Sequence, residues 1–342
     1  MQRQTSLAYD VEANWILNLI CNFSCSYCFS SAPRDPRLAG KLSPSAYLDF
    51  FESTGKRWLF HMTGGEPFFH RRFVELCSEL SKNHYLSINS NLSSSRVAQF
   101  AREVKAERVA YIHCGIHPEE RRDRKGWPAL LSNLTVLIDA GYPVFASCVM
   151  TPAAFDLFED ARDRLGRLGV PLIPKLLEDR YQQRFYPQDY TDQEREKFIE
   201  LSKVAGGAVD ASPLKPFRHR PTINPLLDRH FLNGVPDYAG IMCSAGRSYV
   251  SIGPDGNIYA CGNHHRIGNV FRREMRFLSE DQPCRSDTCR YYCFRHSVVD
   301  EVAAQRLPVR PIQTPLAMRV TEFMQKAERA IVNRLVQISL AE

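Results

Sequence analysis

From residue 13 to about 176 the chain alternates short apolar runs with longer amphipathic stretches. The apolar runs at 15–20, 57–63, 85–89, 109–113, 143–150 and 171–176 read as strands. Between them, 43–53, 68–81, 93–105, 127–140 and 152–168 carry helical periodicity. Ser43-Pro44 and Thr151-Pro152 are helix-start signals, and Gly141 and Gly169 fall just past helix ends. Strands alternating with helices of this length form βαβ units, hence an α/β fold with a parallel sheet. Six such strands make either an open partial barrel or a doubly wound sheet. Both put their chemistry at the carboxyl ends of the strands.

The pattern then changes. Residues 178–233 are polar, aromatic and proline-rich, with Thr191 and Glu194 spaced as a capping box that opens a helix. Further on, "RSYVSIGPDGNIYACG" reads as a hairpin turning at Pro254-Asp255-Gly256-Asn257. The chain thus divides into a short segment (1–12), a βα core (13–180), a helical and proline-rich connection (181–240), a smaller unit (241–300) and a tail (301–342) dominated by one amphipathic helix.

Composition narrows the class. Apolar residues are 44% and charged residues 24% of 342, as in an ordinary globular protein. No apolar run is long enough for a membrane helix, and the start lacks the apolar core of a signal peptide, so the expected location is the cytoplasm. The net charge of +6 is mild and scattered, which gives no reason to expect a nucleic-acid partner.

Cysteine is the exception. The eleven thiols argue for metal binding or catalysis rather than disulfides if the compartment is reducing. Cys77, Cys114 and Cys148 are isolated in apolar segments and read as small buried hydrophobes. The other eight fall into two groups. In "CNFSCSYC", Cys21, Cys25 and Cys28 lie on one loop after the first apolar run, with no further cysteine before Cys77. A structural zinc site needs a fourth ligand, for which His61 and His70 are the nearest soft candidates. Three thiolates would instead leave one iron of a cubane open to a ligand.

That spacing, with Tyr27 before the last cysteine, resembles the signature of the radical S-adenosylmethionine (SAM) enzymes. "HMTGGEP" adds Gly64, Gly65, Glu66 and Pro67 at the end of the second strand, similar to that family's GGEP motif. The resemblance implies a partial (β/α)6 TIM-like barrel. It also implies a 4Fe–4S cluster on Cys21, Cys25 and Cys28, with SAM chelating the open iron through its amine and carboxylate. One electron then cleaves SAM to a 5′-deoxyadenosyl radical that abstracts hydrogen from a C–H. Glycines without Cβ atoms let the GGEP backbone approach this ligand. Ser90 and Asn91 stand where the family often has Thr-Asn-Gly, although Leu92 replaces the glycine. At later strand ends, Ser147 is a candidate for the cofactor, and His113, His117, Lys175 and Glu178 are candidates for substrate. Cys114 is a candidate hydrogen donor.

The second group, Cys243, Cys261, Cys284, Cys289 and Cys293, resembles the SPASM and twitch extensions of these enzymes. Five cysteines suffice for one auxiliary 4Fe–4S cluster on four of them, with a structural zinc knot as the alternative. The implied electron donor is of flavodoxin or ferredoxin type. With the first strand beginning just after Glu12, the expectation is that no leader-binding domain precedes it. This favours oxidation or epimerisation of a hydroxylated small molecule, such as an aminoglycoside or nucleotide sugar. The alternatives are radical modification of a ribosomally made peptide and a zinc-binding interaction module.

Overall fold

Six parallel strands follow one another in chain order across one sheet: β1 (Val11–Ile16), β2 (Trp58–Thr63), β3 (Tyr85–Ser90), β4 (Val109–Gly115), β5 (Val144–Val149) and β6 (Leu172–Lys175). The computed structural model describes residues 7–28, 41–212, 232, 234–261, 265–285 and 309–310. A doubly wound sheet would reverse its strand order within these six, whereas β1 to β6 each pair with their neighbours in the chain. The core is therefore a partial β/α barrel.

The helices α1 (Pro44–Glu52), α2 (Phe73–Leu80), α3 (Val97–Glu103), α4 (Pro118–Asp123), α5 (Trp127–Asp139) and α6 (Pro152–Gly166) follow the strands. The start signals act as anticipated. Ser43 accepts from Ala46 N and Thr151 from Ala154 N, each with proline in the first turn. Gly141 and Gly169 leave their helices at φ +83° and +69°. Alternation sorts the strand residues. On β4, Ile112 and Cys114 join the large core shared with the helices. Tyr111 takes the opposite, concave face with Leu59, Phe145 and Ile173, where α7 (Asp192–Asp210) adds Ala205 and Val209. Helix α7 opens with the anticipated capping box between Thr191 and Glu194.

The first strand lies four residues earlier than its apolar run. Leu17 N still donates to Thr63 O at 2.8 Å, but Asn18 Oδ1 then accepts from Ile20 N at 3.0 Å and turns the chain out of the sheet. Its early residues disguise it because Glu12, although 1% exposed, is inside. The carboxylate accepts from Tyr9 and faces His61 Nε2 at 3.2 Å, and Ser87 lies 2.7 Å from His61 Nδ1. His61 is thereby committed to the concave face and does not complete a ligand set with the cysteines.

After α6 and β6, β7 (Asp179–Tyr181) and β8 (Arg184–Tyr186) form a small hairpin. Two-residue ladders join β9 (Val235–Pro236) to β16 (Val309–Arg310) and β10 (Met242–Cys243) to β15 (Gln282–Pro283). The anticipated hairpin is β11 (Tyr249–Ile252) and β12 (Asn257–Tyr259), with Gly256 at φ +77° in its turn. It does not form a separate layer. Strand β11 pairs in parallel with β1, and β12, β13 (Arg266–Asn269) and β14 (Glu274–Met275) extend the sheet to ten strands. Phe271 and Phe277 pack against Tyr47 and Trp58 of the barrel core. The proline-rich stretch, the anticipated C-terminal helix, Cys289 and Cys293 lie outside the described residues.

Three buried histidines have a consequence for acid stability. His70 and His84 are held down to about 4 and His113 to about 3, each chiefly by burial. Each also has one ring nitrogen buried without a partner among the described residues. The unfolded chain protonates them near pH 6.5 while the folded one does not, so stability falls as pH drops through that window. Denaturant midpoints measured from pH 7 to 4.5 are expected to fall with a slope of more than one proton. A flat profile would contradict this.

Candidate functional site

At the carboxyl edge of the barrel the β1 loop, residues 17–28, is fastened to the β2 end by two backbone bonds and by the Asn18 side chain, whose Nδ2 donates to Glu66 O at 3.2 Å. Gly65 N donates to Asn18 O at 2.9 Å and Glu66 N to Ile20 O at 2.7 Å. The glycines make this approach possible. A Cβ on Gly64 would lie 2.5 Å from Asn18 O, and one on Gly65 2.3 Å from Ile20 O. The room that the missing side chains leave is thus filled by the cysteine loop's own backbone.

Glu66 ties the next strand in. Its buried carboxylate accepts from Ser90 Oγ and Asn91 N, both at 2.7 Å, and from Phe68 N at 3.1 Å, where a 3-10 turn begins at Pro67. Burial pushes this carboxyl up, while its three donors and Arg121 pull it down. Asn91 reaches back to the cysteine loop, donating to Asn22 Oδ1 at 2.9 Å. Leu92, where a glycine was noted as missing, does adopt the left-handed conformation a glycine would favour, at φ +51°.

Helix α4 supplies residues that sequence reading missed. Arg121 is fully buried and donates to the carbonyls of Asn91, Gly115 and Ile116, which terminate β3 and β4. Its Nη1 has no partner among the described residues, and its guanidinium lies 5.4 Å from the Phe23 ring centroid on the cysteine loop. Glu120 accepts from Ser24 N at 3.1 Å. The charged run at 118–125 signals a solvated helix, and nothing in its spacing announces a buried arginine.

The cysteine loop itself is half-buried, with Cys28 exposed. Burial first, then Glu120 and the two neighbouring thiols, push Cys25 up to about 12, while the Tyr27 hydroxyl pulls it down. Such a thiol ionises only when a metal centre supplies positive charge. His117, noted above as a substrate candidate, sits against this loop: its Nδ1 is 3.3 Å from Cys25 Sγ and 2.8 Å from the Tyr27 hydroxyl. Burial and Arg121 push it down to about 3. His70 is buried and donates its backbone N–H to Pro67 O at 2.9 Å.

Around the concave face, His113 Nε2 lies 2.6 Å from Ser147 Oγ, and its ring stacks on Phe145 at 4.6 Å. Asn89 donates to Thr63 at 3.3 Å. Lys175 ends β6 close enough to help hold His113 neutral, and Glu178 follows half-buried. Cys114 is the candidate hydrogen donor. It is wholly buried among the helix-facing core residues, and burial pushes its thiol up to about 12.

In the extension, Cys243, Cys261 and Cys284 gather around Tyr238, Ala245 and Tyr249. Cys284 N donates to Ile241 O at 2.7 Å, which sets it on the short ladder that carries Cys243. Among the described residues, no three His, Cys, Asp or Glu side chains converge as a single-ion site.

Residues 15–163 match the radical SAM superfamily. No curated protein matches in sequence. Among solved structures, Streptococcus suis SuiB bound to precursor peptide SuiA is similar at TM-score 0.52 and 12% identity, over 78% of this chain and 64% of that one. SuiB bound to S-adenosylmethionine gives 0.50 at 12%, over 77% and 64%. The chain thus spans less than two thirds of SuiB's length. An anSMEcpe structure with bound AdoMet and Kp18Cys peptide gives 0.51 at 15%, over 76% and 77%. At these identities the likeness is one of fold. Among the described residues no helix is long and apolar enough to cross a membrane.

Proposed function

We propose, for a chain that carries a radical SAM domain over residues 15–163, that it abstracts hydrogen from a C–H of a hydroxylated small molecule held on the concave face of its barrel. The domain's cofactors are a 4Fe–4S cluster and SAM, and together they supply one-electron cleavage of SAM to a 5′-deoxyadenosyl radical. The donor set fits the cluster. Cys21, Cys25 and Cys28 lie on one loop pinned to the β2 end, and the half-buried Cys25 thiol, pushed up chiefly by desolvation, needs a cationic partner to ionise. In this reading Gly64, Gly65, Glu66 and Pro67 present the strand edge that receives the methionine amine. Tyr27 and Ser147 flank the cofactor. Ser90 and Asn91 hold Glu66 in place beside it.

The observation that carries the substrate class is the concave face itself. Thr63, Asn89, His113 and Ser147 line it with neutral hydrogen-bonding groups, and His113 Nδ1 is buried without a partner among the described residues. Hydroxyl groups satisfy such a surface. Lys175 and Glu178 stand at its rim. Net oxidation or epimerisation fits equally. An auxiliary 4Fe–4S cluster on four of Cys243, Cys261, Cys284, Cys289 and Cys293 would accept an electron or bind substrate. Cys284 gains weight because it shares an apolar pocket with Cys243 and Cys261. A flavodoxin- or ferredoxin-type protein is the proposed electron source. The second reading, modification of a ribosomal peptide, is supported by the fold shared with SuiB bound to its precursor peptide and with anSMEcpe bound to the Kp18Cys peptide.

Two measurements test this. Anaerobically reconstituted protein should cleave SAM on reduction, and Cys25→Ala should lose cleavage entirely; cleavage that persists in that variant would overturn the reading. Incubation with carbon-deuterated aminoglycosides and nucleotide sugars, alongside a deuterated peptide, should move deuterium into 5′-deoxyadenosine from the hydroxylated set. Transfer from the peptide alone would favour the second reading.

A further inference from the structure

Two hydrogen-bonding side chains converge on one of the three cysteines. His117 Nδ1 lies 3.3 Å from Cys25 Sγ and 2.8 Å from the Tyr27 hydroxyl, which itself bonds Cys25. The imidazole is fixed from every side. Phe23 meets it edge-on at 5.7 Å, the Tyr27 ring stacks at 6.1 Å, and a Cβ on Gly115 would strike Nε2 at 2.4 Å. Its backbone takes the left-handed conformation, φ +48°, which a histidine occupies at some cost and which aims the ring at the loop.

Two tautomers are compatible with these distances, and they differ in consequence. With hydrogen on Nε2, Nδ1 accepts from Tyr27 and gives Cys25 nothing. With hydrogen on Nδ1, both His117 and Tyr27 are donors facing the sulfur. A thiolate bound to iron accepts hydrogen bonds and cannot donate them, so only the second arrangement lets His117 add its own donor to that of Tyr27 once a cluster is present.

We propose that His117 donates an N–H···S hydrogen bond to the Cys25 thiolate and thereby raises the reduction potential of the cluster held by Cys21, Cys25 and Cys28. This rests on the cluster assignment made above. Hydrogen bonds to the sulfurs withdraw charge from an iron–sulfur centre and favour the electron-rich reduced form. His117 is therefore a positioning residue for the electron rather than a group that touches substrate. It makes the first electron easier to load.

The test uses reconstituted full-length protein without SAM, with iron content measured first and the midpoint potential by an EPR-monitored titration. His117→Phe keeps the ring packing and removes the donor. It should load the same iron and be about tenfold harder to reduce, a 59 mV fall for one electron. His117→Gln, which retains an N–H, should recover most of that fall, which a purely structural role would not predict. An unchanged midpoint in His117→Phe overturns the proposal. Should that variant fail to fold or load, wild-type protein labelled with 15N-histidine decides: the reduced cluster should show a weak 15N hyperfine coupling, and its absence overturns the proposal. Wild-type protein that takes up no iron would instead sink the cluster assignment itself.

Discussion

Gly65→Ala is expected to abolish SAM cleavage while leaving every cysteine in place. The new Cβ would sit 2.3 Å from Ile20 O and 2.5 Å from Ile20 C, atoms of a backbone that cannot rotate away as a side chain could. Relief requires the β1 loop to move off the β2 end, breaking the Gly65–Asn18 and Glu66–Ile20 bonds. Cys21 follows Ile20 directly, so the displacement is delivered to the proposed ligands. Overpacking costs about 1–3 kcal/mol, and a misplacement near 1 Å costs roughly 100-fold in rate. Cleavage should therefore fall by at least about 100-fold. The initial rate of 5′-deoxyadenosine formation per reconstituted cluster checks it; a near-normal rate would mean that the two loops are not as tightly joined as their contacts imply.

Arg121 carries the second large effect. It is a fully buried cation whose donors cap three carbonyls at the ends of β3 and β4, and Asn91 is gripped twice, through its N–H by Glu66 and its carbonyl by Arg121. Arg121→Met removes the charge and leaves those carbonyls and the Glu66 carboxylate without their compensation. The expected loss is about 3–5 kcal/mol of stability, the cost of stripping one partner from a buried charge arrangement. Arg121→Lys should recover little, because an ammonium cannot reproduce the planar fork that spans several carbonyls. Urea midpoints of the two variants measure both statements. A lysine variant as stable as wild type would show that charge alone suffices.

The elements legible in the sequence were those whose faces follow a simple period. Helix starts at Ser43 and Thr151, the capping box at Thr191 and the hairpin at Pro254-Asp255-Gly256-Asn257 all form as their local chemistry dictates. Strand β1 was misplaced because Glu12 and Asn14 interrupt its apolar pattern, and only the third dimension reveals that Tyr9 and His61 satisfy the carboxylate. The cysteine loop and the Gly64-Gly65-Glu66-Pro67 turn were recognisable as a pair. That the glycines accommodate Asn18 and Ile20 was not, since close backbone approach leaves no trace in residue type beyond the glycine itself. Arg121 and the approach of His117 to Cys25 were hidden for a related reason: both depend on a short helix after β4, within a run of charges that reads as solvent-exposed.

The parallel pairing of β11 with β1 bears on how the chain matures on the ribosome. Strand β1 emerges before every other strand of its sheet, yet its open edge finds its partner β11 only after β2–β6 have been translated. Until then the unsatisfied peptide groups of Glu12 and Asn14, which face the missing strand, invite pairing with another nascent chain. Holding chaperones, or pauses that let β2 dock early, would be the natural protection during that interval.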